Sequence, residues 1–390
     1  MSIGTKNTTN MRILMLNYEY PPLGGGAGNA CSHLLREFLK VKDLEIDLVT
    51  SSIDKYKEES FNDKIKIFYL DIGKKGSLHH QSLKDLLIYS WRAYFFARKL
   101  IRWNKYDLTH AFFGIPSGFI VMFLKLPYIV SLRGSDVPFY SRRFRFLDRL
   151  IFKNLSRIIW GRAKKVIANS SYLFNLALRT NHNQEIKIIP NGVDIDYFYP
   201  TPLRREQPLS QAFIIISTSR LIKRKGIEQL IEAFAKLKKS HPASKLIMAG
   251  DGDLRDKLFE AARGIPGIEF LGNQPKDKLA ELYRAADVFV LPSEAEGMSN
   301  SLLEAMASGL GVVLSRAAAP AELIGPENAI VLERNDSDSI CTALLELARR
   351  LEFLREMKAV NRHKAIEFSW QNTAREYLKI YAENNPIKNK

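Results

Sequence analysis

The chain has 390 residues, 46% of them hydrophobic, and a formal net charge of +16. That length exceeds what one hydrophobic core usually serves, so two domains are expected. Its two cysteines, Cys31 and Cys341, are too few and too far apart for a disulfide framework or a metal cluster, which fits a reducing cytosol.

In chain order, residues 1–10 are polar, lack the apolar centre of a signal peptide and read as a lead-in to a strand near 12–17. Pro21-Pro22-Leu23-Gly24-Gly25-Gly26 follows, but no G-x-G-x-x-G register fits, because Asn29 or Cys31 takes the last place, and dinucleotide binding is set aside. Strands are expected near 46–51, 65–70, 107–113 and 127–132, alternating with helical patterns. His110 sits near the end of one of them, as a site residue or as a satisfied strand-end histidine. Lys125 and Pro127 interrupt the apolar stretch from Phe119 to Val130, so no spanning helix is expected. After Leu132-Arg133-Gly134-Ser135-Asp136, the spacing predicts one helix within Ser141 to Lys165, then a strand near 165–169.

The second half repeats the theme. After Ile189-Pro190-Asn191-Gly192-Val193-Asp194 comes the clearest Pro-rich polar linker, from Tyr199 to Pro208. Strands are expected near 213–219, 245–249, 268–271, 288–291, 311–315 and 329–332. The alternation predicts two doubly wound parallel-sheet domains. Between the first of these strands and a helix from about Ile227 to Lys239, the loop carries Arg220, Lys225 and Gly226. A guanidinium and an ammonium at such a place suit a diphosphate. Asp251-Gly252-Asp253, lying between a strand and a helix, reads as a turn and N-cap rather than a metal pair.

The most informative segment is 293–309, where Glu296 and Glu304 stand eight apart across Gly297. A continuous helix would separate them by roughly 80°, so Glu296 belongs on the loop and Glu304 inside the helix. Backbone N–H groups of Gly297, Met298, Ser299 and Asn300 then lie between the carboxylates at a helix N-terminus, a place that favours an anion. A capping box of Ser301 with Glu304, and a helix end at Gly309, is the plain alternative.

Together these segments resemble the retaining GT-B glycosyltransferases of family four, also called glycosyl transferase group 1. The resemblance rests on Glu296 and Glu304 with seven residues between them in the Glu signature, on Arg220 with Lys225-Gly226, and on Ala249-Gly250-Asp251-Gly252 and Phe270-Leu271-Gly272 in the same order. It covers nearly the whole chain. It implies two Rossmann-like domains facing a central cleft: an acceptor-side domain over 11–198, a linker over 199–210, a nucleotide-sugar domain over 211–368, and a C-terminal segment, 369–390, returning to the first domain. It further implies that Arg220 and Lys225 bind the donor diphosphate, Glu304 the ribose hydroxyls and Glu296 the transferred sugar. Gly25 and Gly26 would admit the phosphates to the first domain's backbone, and backbone at Leu271 and Gly272 would meet the base. His110, Arg133 and Asp136 are acceptor-side candidates. Many relatives carry a histidine where this chain has Arg133, which removes any imidazole role there. The implied reaction moves a sugar from a nucleoside diphosphate sugar to an acceptor hydroxyl, with no metal and no cofactor, in cell-surface polysaccharide or glycolipid synthesis. A nucleotide-sugar 2-epimerase of related fold is the alternative enzyme.

Charge is unevenly spread, with a net +14 through Ile195 and +2 beyond it. Its densest segment sets Arg142, Arg145, Arg149, Lys153 and Arg157 on one side of the expected helix, interleaved with Phe146 and Trp160. Phe144, Leu147, Ile151, Leu155 and Ile158 fall on the other side, as a packed face. Cations mixed with aromatics suggest contact with an anionic membrane surface, and a cytoplasmic enzyme peripheral to the membrane. A non-enzymatic basic module stays in view. No nucleic-acid reader motif accompanies the charge, and no nucleic acid partner is expected.

Overall fold

The computed structural model describes residues 11–74, 81–140, 145–201 and 212–385. The chain forms two compact units, one of residues 1–191 with 370–390 and the other of residues 192–369.

The first unit grows from runs such as Met11-Arg-Ile-Leu-Met-Leu16, apolar on both faces as a strand covered from both sides must be. In chain order it contains β1 (Met11–Leu16), α1 (Gly26–Phe38), β2 (Leu44–Ser52), β3 (Lys57–Ser60), β4 (Ile65–Asp71), α2 (Leu83–Trp103), β5 (Leu108–Phe112), α3 (Phe119–Met122) and β6 (Tyr128–Leu132). There follow α4 (Arg145–Leu147), α5 (Lys153–Arg162), β7 (Lys165–Ala168), α6 (Ser171–Thr180) and β8 (Ile186–Ile188). The sheet order is β3-β4-β2-β1-β5-β6-β7-β8, parallel except for β3. Right-handed crossovers place α2, α3, α5 and α6 on one face, because those connections all step the same way along the sheet, and α1 on the other. The short strands β3 and β8 are additions to the sequence reading. Neither has a buried residue, so neither carries the apolar pattern that marks a strand.

The helix expected within 141–165 is broken. Residues 145–147 are α-helical, 148–152 form a π-turn, and α5 starts only at Lys153. Asp148 is buried there, its carboxylate accepting the Phe139 N–H at 2.8 Å. The wider turn shifts the register, and the outcome differs from the expected pattern: Ile151 and Ile158 are exposed, while Trp160 is fully buried and cannot touch a membrane. Arg145, Phe146, Arg149 and Arg157 are exposed and Lys153 is partly so. Arg142 lies outside the described residues.

The second unit holds β9 (Ile214–Thr218), α7 (Ile227–Ser240), β10 (Lys245–Ala249), α8 (Arg255–Ala261), β11 (Ile268–Gly272), α9 (Lys276–Ala285), β12 (Val288–Leu291), α10 (Asn300–Ala307), β13 (Gly311–Ser315), β14 (Ile330–Leu332), α11 (Ser337–Arg349) and α12 (Leu351–Glu367). Its sheet is fully parallel in the order β11-β10-β9-β12-β13-β14. Residues 192–200 belong to this unit, although the resemblance places 192–198 in the first domain and 199–200 in the linker: Phe198 is buried against Tyr283, and Arg362 donates to the Ile195, Phe198 and Ala307 carbonyls. Of the expected linker, residues 202–210 lie outside the described residues.

The last helix, α13 (Trp370–Glu383), returns to the first unit and packs on α1. Tyr377, Ile380 and Tyr381 are buried in that unit's core, and Trp370 stacks on His33 with ring centroids 5.0 Å apart. Removing a buried aromatic costs ~3–5 kcal/mol, while exposed positions change stability by at most ~0.5 kcal/mol. Tyr381→Ala is therefore expected to lower the first unit's unfolding midpoint in denaturant sharply, and Arg375→Ala to leave it in place. Equal midpoints for the two variants would show that α13 is not a core element.

Candidate active site

The order of the second sheet turns about β9 and β12, neighbours whose chains leave in opposite directions along the sheet. Ligands of open α/β sheets bind beyond the strand carboxyl ends at such a switch point. Arg220 and Lys225 follow β9, and Glu296 follows β12.

Glycine geometry presses these two loops together. Gly226 caps α7 in the left-handed region, at φ +66°, and a Cβ there would come within 2.1 Å of the Pro292 carbonyl oxygen. Arg224 Nη1 donates to the Ala295 carbonyl at 3.1 Å, and the Glu294 N–H donates back to the Arg224 carbonyl at 2.8 Å. On the other flank the Ala249-Gly250-Asp251-Gly252 run wraps the start of the cationic loop. A Cβ on Gly250 would meet the Ser219 carbonyl oxygen at 2.0 Å, and the Leu221 N–H donates to the Asp251 carbonyl at 2.9 Å.

Inside this frame Lys225 Nζ forms an ion pair with Glu296 Oε1, both side chains nearly buried. Burial pushes the Lys225 pKa down against the raising pull of Glu296, and the charges of Arg224 and Arg220 push it further down. Arg220 is exposed. The loop thus concentrates Arg220, Lys223, Arg224 and Lys225 against the carboxylates of Glu294 and Glu296, an excess of positive charge that suits an anion.

The helix start resolves the capping alternative. Ser299, not Ser301, is the N-cap of α10, its hydroxyl accepting the Leu302 N–H at 3.3 Å. Glu304 takes no part in capping. Its carboxylate accepts from the Tyr283 hydroxyl at 3.2 Å, and Tyr283 also meets Thr218 at the end of β9. The Glu304 residue keeps some surface, but its carboxyl is enclosed, and burial pushes its pKa up to about 7 against the lowering effects of Tyr283 and Lys276. Glu296 and Glu304 therefore flank the segment Gly297 to Asn300, with Met298 and Ser299 buried between them. Leu271 and Gly272 end β11. The Gly272 carbonyl accepts the Gly250 N–H at 2.8 Å, and the Leu271 carbonyl accepts from Gln274. Tyr283 and Thr218 carry no signal in the sequence, where they look like ordinary apolar-stripe and strand residues.

The first unit's candidates separate. Gly25 is the N-cap of α1, a Cβ on it would meet nothing within 4 Å, and its N–H donates to Glu19 Oε2 at 3.1 Å; Gly26 opens the helix beside it. His110 is fully buried with both ring nitrogens engaged, by Tyr381 Oη at 2.8 Å and Ser131 Oγ at 2.8 Å, so it is a satisfied strand histidine that offers a ligand no atom. Burial drives its pKa well down, and Arg133 adds to this. Arg133 lies over the Phe112 ring, 4.6 Å from its centroid, and donates to Asn191 and to Tyr377, each at 2.9 Å. Asp136 accepts the N–H groups of Gly114, Arg133 and Gly134 at 2.7–3.0 Å, and burial raises its pKa against these bonds. Among the described residues no group of three or more His, Cys, Asp or Glu is placed to hold a metal.

The profile of the glycosyl transferases group 1 matches residues 212–350, and that of glycosyltransferase family 4 matches residues 24–197. The chain belongs to this glycosyltransferase family. It is similar to an uncharacterised glycosyltransferase of Methanocaldococcus jannaschii, 26% identical with 95% of this chain and 98% of that protein covered. It also resembles the alpha-monoglucosyldiacylglycerol synthase of Acholeplasma laidlawii, 26% identical with 78% and 80% covered. Among solved structures, sucrose-phosphate synthase from Thermosynechococcus elongatus superposes with a TM-score of 0.81 at 20% identity, covering 96% of this chain and 98% of that one. The architecture is that of the GT-B glycosyltransferases.

A left-handed residue other than glycine costs ~1–2 kcal/mol by itself. Gly264→Ala, at φ +80° with open space for a Cβ, is expected to lose about that much. Gly226→Ala adds the collision with Pro292 and is expected to lose clearly more. Equal losses in thermal denaturation of the two variants would contradict the packing of the two site loops.

Proposed function

We propose that this glycosyltransferase moves a sugar from a nucleoside diphosphate sugar to an acceptor hydroxyl with retention of configuration. The observation that carries the reading is the Lys225–Glu296 pair at the switch point, set in a cationic loop directly after β9. Arg220 and Lys225 stabilise the diphosphate as its charge grows, the helix start after Glu296 adds backbone donors, and Glu296 orients the sugar while holding Lys225 in place. Glu304 accepts the ribose hydroxyls, backbone at Leu271 and Gly272 meets the base, and the Gly25-Gly26 turn lets the first unit's backbone approach the phosphates. The cations do the electrostatic work, so neither a metal nor a cofactor is required, and the leaving phosphate takes the acceptor proton. On the acceptor side, Arg133 and Asp136 stand at the end of β6. The acceptor is a lipid-linked saccharide or glycolipid, handled by a cytoplasmic enzyme at an anionic membrane surface in cell-surface glycan or glycolipid synthesis. The basic first unit and the likeness to a diacylglycerol glucoside synthase support this. No described helix is long and apolar enough to cross a membrane. Acceptor-dependent release of the nucleoside diphosphate, with the product anomer read by NMR, tests the proposal; an inverted product would overturn retention.

Losing a donor that stabilises developing charge lowers turnover by roughly 10²-fold or more, so Arg220→Ala and Lys225→Ala are each expected to do so. Near-normal turnover in both would remove the clamp.

The two glutamates should separate by pH. Burial pushes the pKa of the unliganded Glu304 carboxyl up to about 7, and hydroxyl donors favour its ionised form. Nucleotide binding then lowers that pKa and releases a proton, so affinity rises as pH climbs toward about 7 and levels off above it. Calorimetry should find this slope in the wild type and in Glu296→Gln but not in Glu304→Gln, which also binds free nucleoside diphosphate more weakly. A slope that persists in Glu304→Gln would refute the assignment.

A further inference from the structure

The first unit has an unusual outer surface on the face formed by α2, α3 and α5. In α2, Leu83, Leu87, Trp91 and Phe95 recur every fourth residue on the exposed side, and Trp103 closes the helix; Leu87 is 72%, Trp91 70% and Trp103 80% exposed. The opposite stripe, Asp85, Tyr89, Ala93 and Ala97, is buried. The helix is therefore amphipathic on its buried side and apolar again on its free side. α2 touches α3, which exposes Phe119 and Phe123, and α3 touches α5, whose approach exposes Phe146 and Leu150. Charge on this face is mostly of one sign, the exception being the half-exposed Asp71 carboxylate, which lies 3.5 Å from Arg92. Lys84, Arg92, Arg98, Lys99 and Arg102 flank the α2 stripe, Arg145 and Arg149 flank Phe146, and the only acids on α2, α5 and the turns before it, Asp85 and Asp148, are buried. Of the chain's four tryptophans, Trp160 and Trp370 are buried and the two exposed ones both lie on α2.

We infer that this face is a membrane-docking surface. The apolar stripe of α2 lies in the plane of the interface, Trp91 and Trp103 sink to the level of the headgroups, and the flanking cations bind acidic phospholipids. An interfacial helix combines these features, an apolar stripe for the acyl boundary and a predominantly cationic border for anionic lipid. Exposed aromatics beside an excess of cations complement a bilayer of anionic lipid. The inference rests on the proposed membrane-presented acceptor for its purpose and moves the centre of contact from the segment around α5 to α2.

The test uses the full chain with vesicles of phosphatidylcholine containing phosphatidylglycerol, at low and high salt. The wild type should cosediment at low salt and release at high salt, with a blue shift of tryptophan emission and protection from an aqueous quencher, because the two exposed tryptophans are the ones that dock. Each cation near an anionic surface strengthens binding about fivefold, so Lys99→Glu with Arg102→Glu should weaken it by at least ~25-fold. Leu87→Ser with Trp91→Ser should lower partitioning by more than ~10-fold, since it removes buried apolar area. These positions are exposed, and the variants should keep wild-type thermal stability and nucleoside diphosphate binding, which separates loss of docking from failure of the donor site. Absence of wild-type binding at low salt, equal binding by all variants, or a dimer in sedimentation that covers this face without vesicle binding would each overturn the proposal.

Discussion

A buried ion pair fixes the second unit's site. Lys225 and Glu296 come from loops after adjacent strands, and neither could stay charged in that enclosure alone. Moving a charge from water into protein costs several kcal/mol unless its partner is well placed, so each loop depends on the other's position. The glycines supply that position. Gly226 lets the β9 loop lie on the Pro292 carbonyl, and Gly250 lets the next connection close over Ser219. The pair thus forms where these two tight backbone contacts bring the loops together. Once formed, it leaves Arg220 and Lys223 as the exposed cations of the loop, open to a ligand.

The parallel strands were legible because burial on both faces forces an apolar, β-branched run. Ile214-Ile-Ile-Ser-Thr218 and Val288-Phe-Val-Leu291 could hardly be read otherwise. The site loops were legible because the cations and carboxylates stand at strand ends. What stayed hidden was set by distance in the sequence. His110 looks like a candidate site residue until α13 supplies Tyr381, 271 residues away, as its partner. The helix around Asp148 reads as continuous because periodicity does not show that a carboxylate will be drawn inward to the Phe139 N–H. In α2, both stripes follow the same four-residue spacing, and pattern alone does not say which faces the sheet; Ala93 and Ala97 decide it by permitting close approach.

The C-terminal helix gives the first unit a polar cluster within an apolar core. Tyr377 touches Ser131 and Arg133, Tyr381 touches His110, and His110 touches Ser131. Buried polar groups are costly unless all are paired, so this cluster selects a single seat for α13. It also sets the charge at the end of β6. Arg133 is held there by Phe112, Asn191 and Tyr377. Burial holds the pKa of the neighbouring His110 well down, and the Arg133 charge presses it further. The end of β6 therefore carries a cation beside a neutral ring, and the carboxyl that burial brings to about 7 is Glu304, in the other unit.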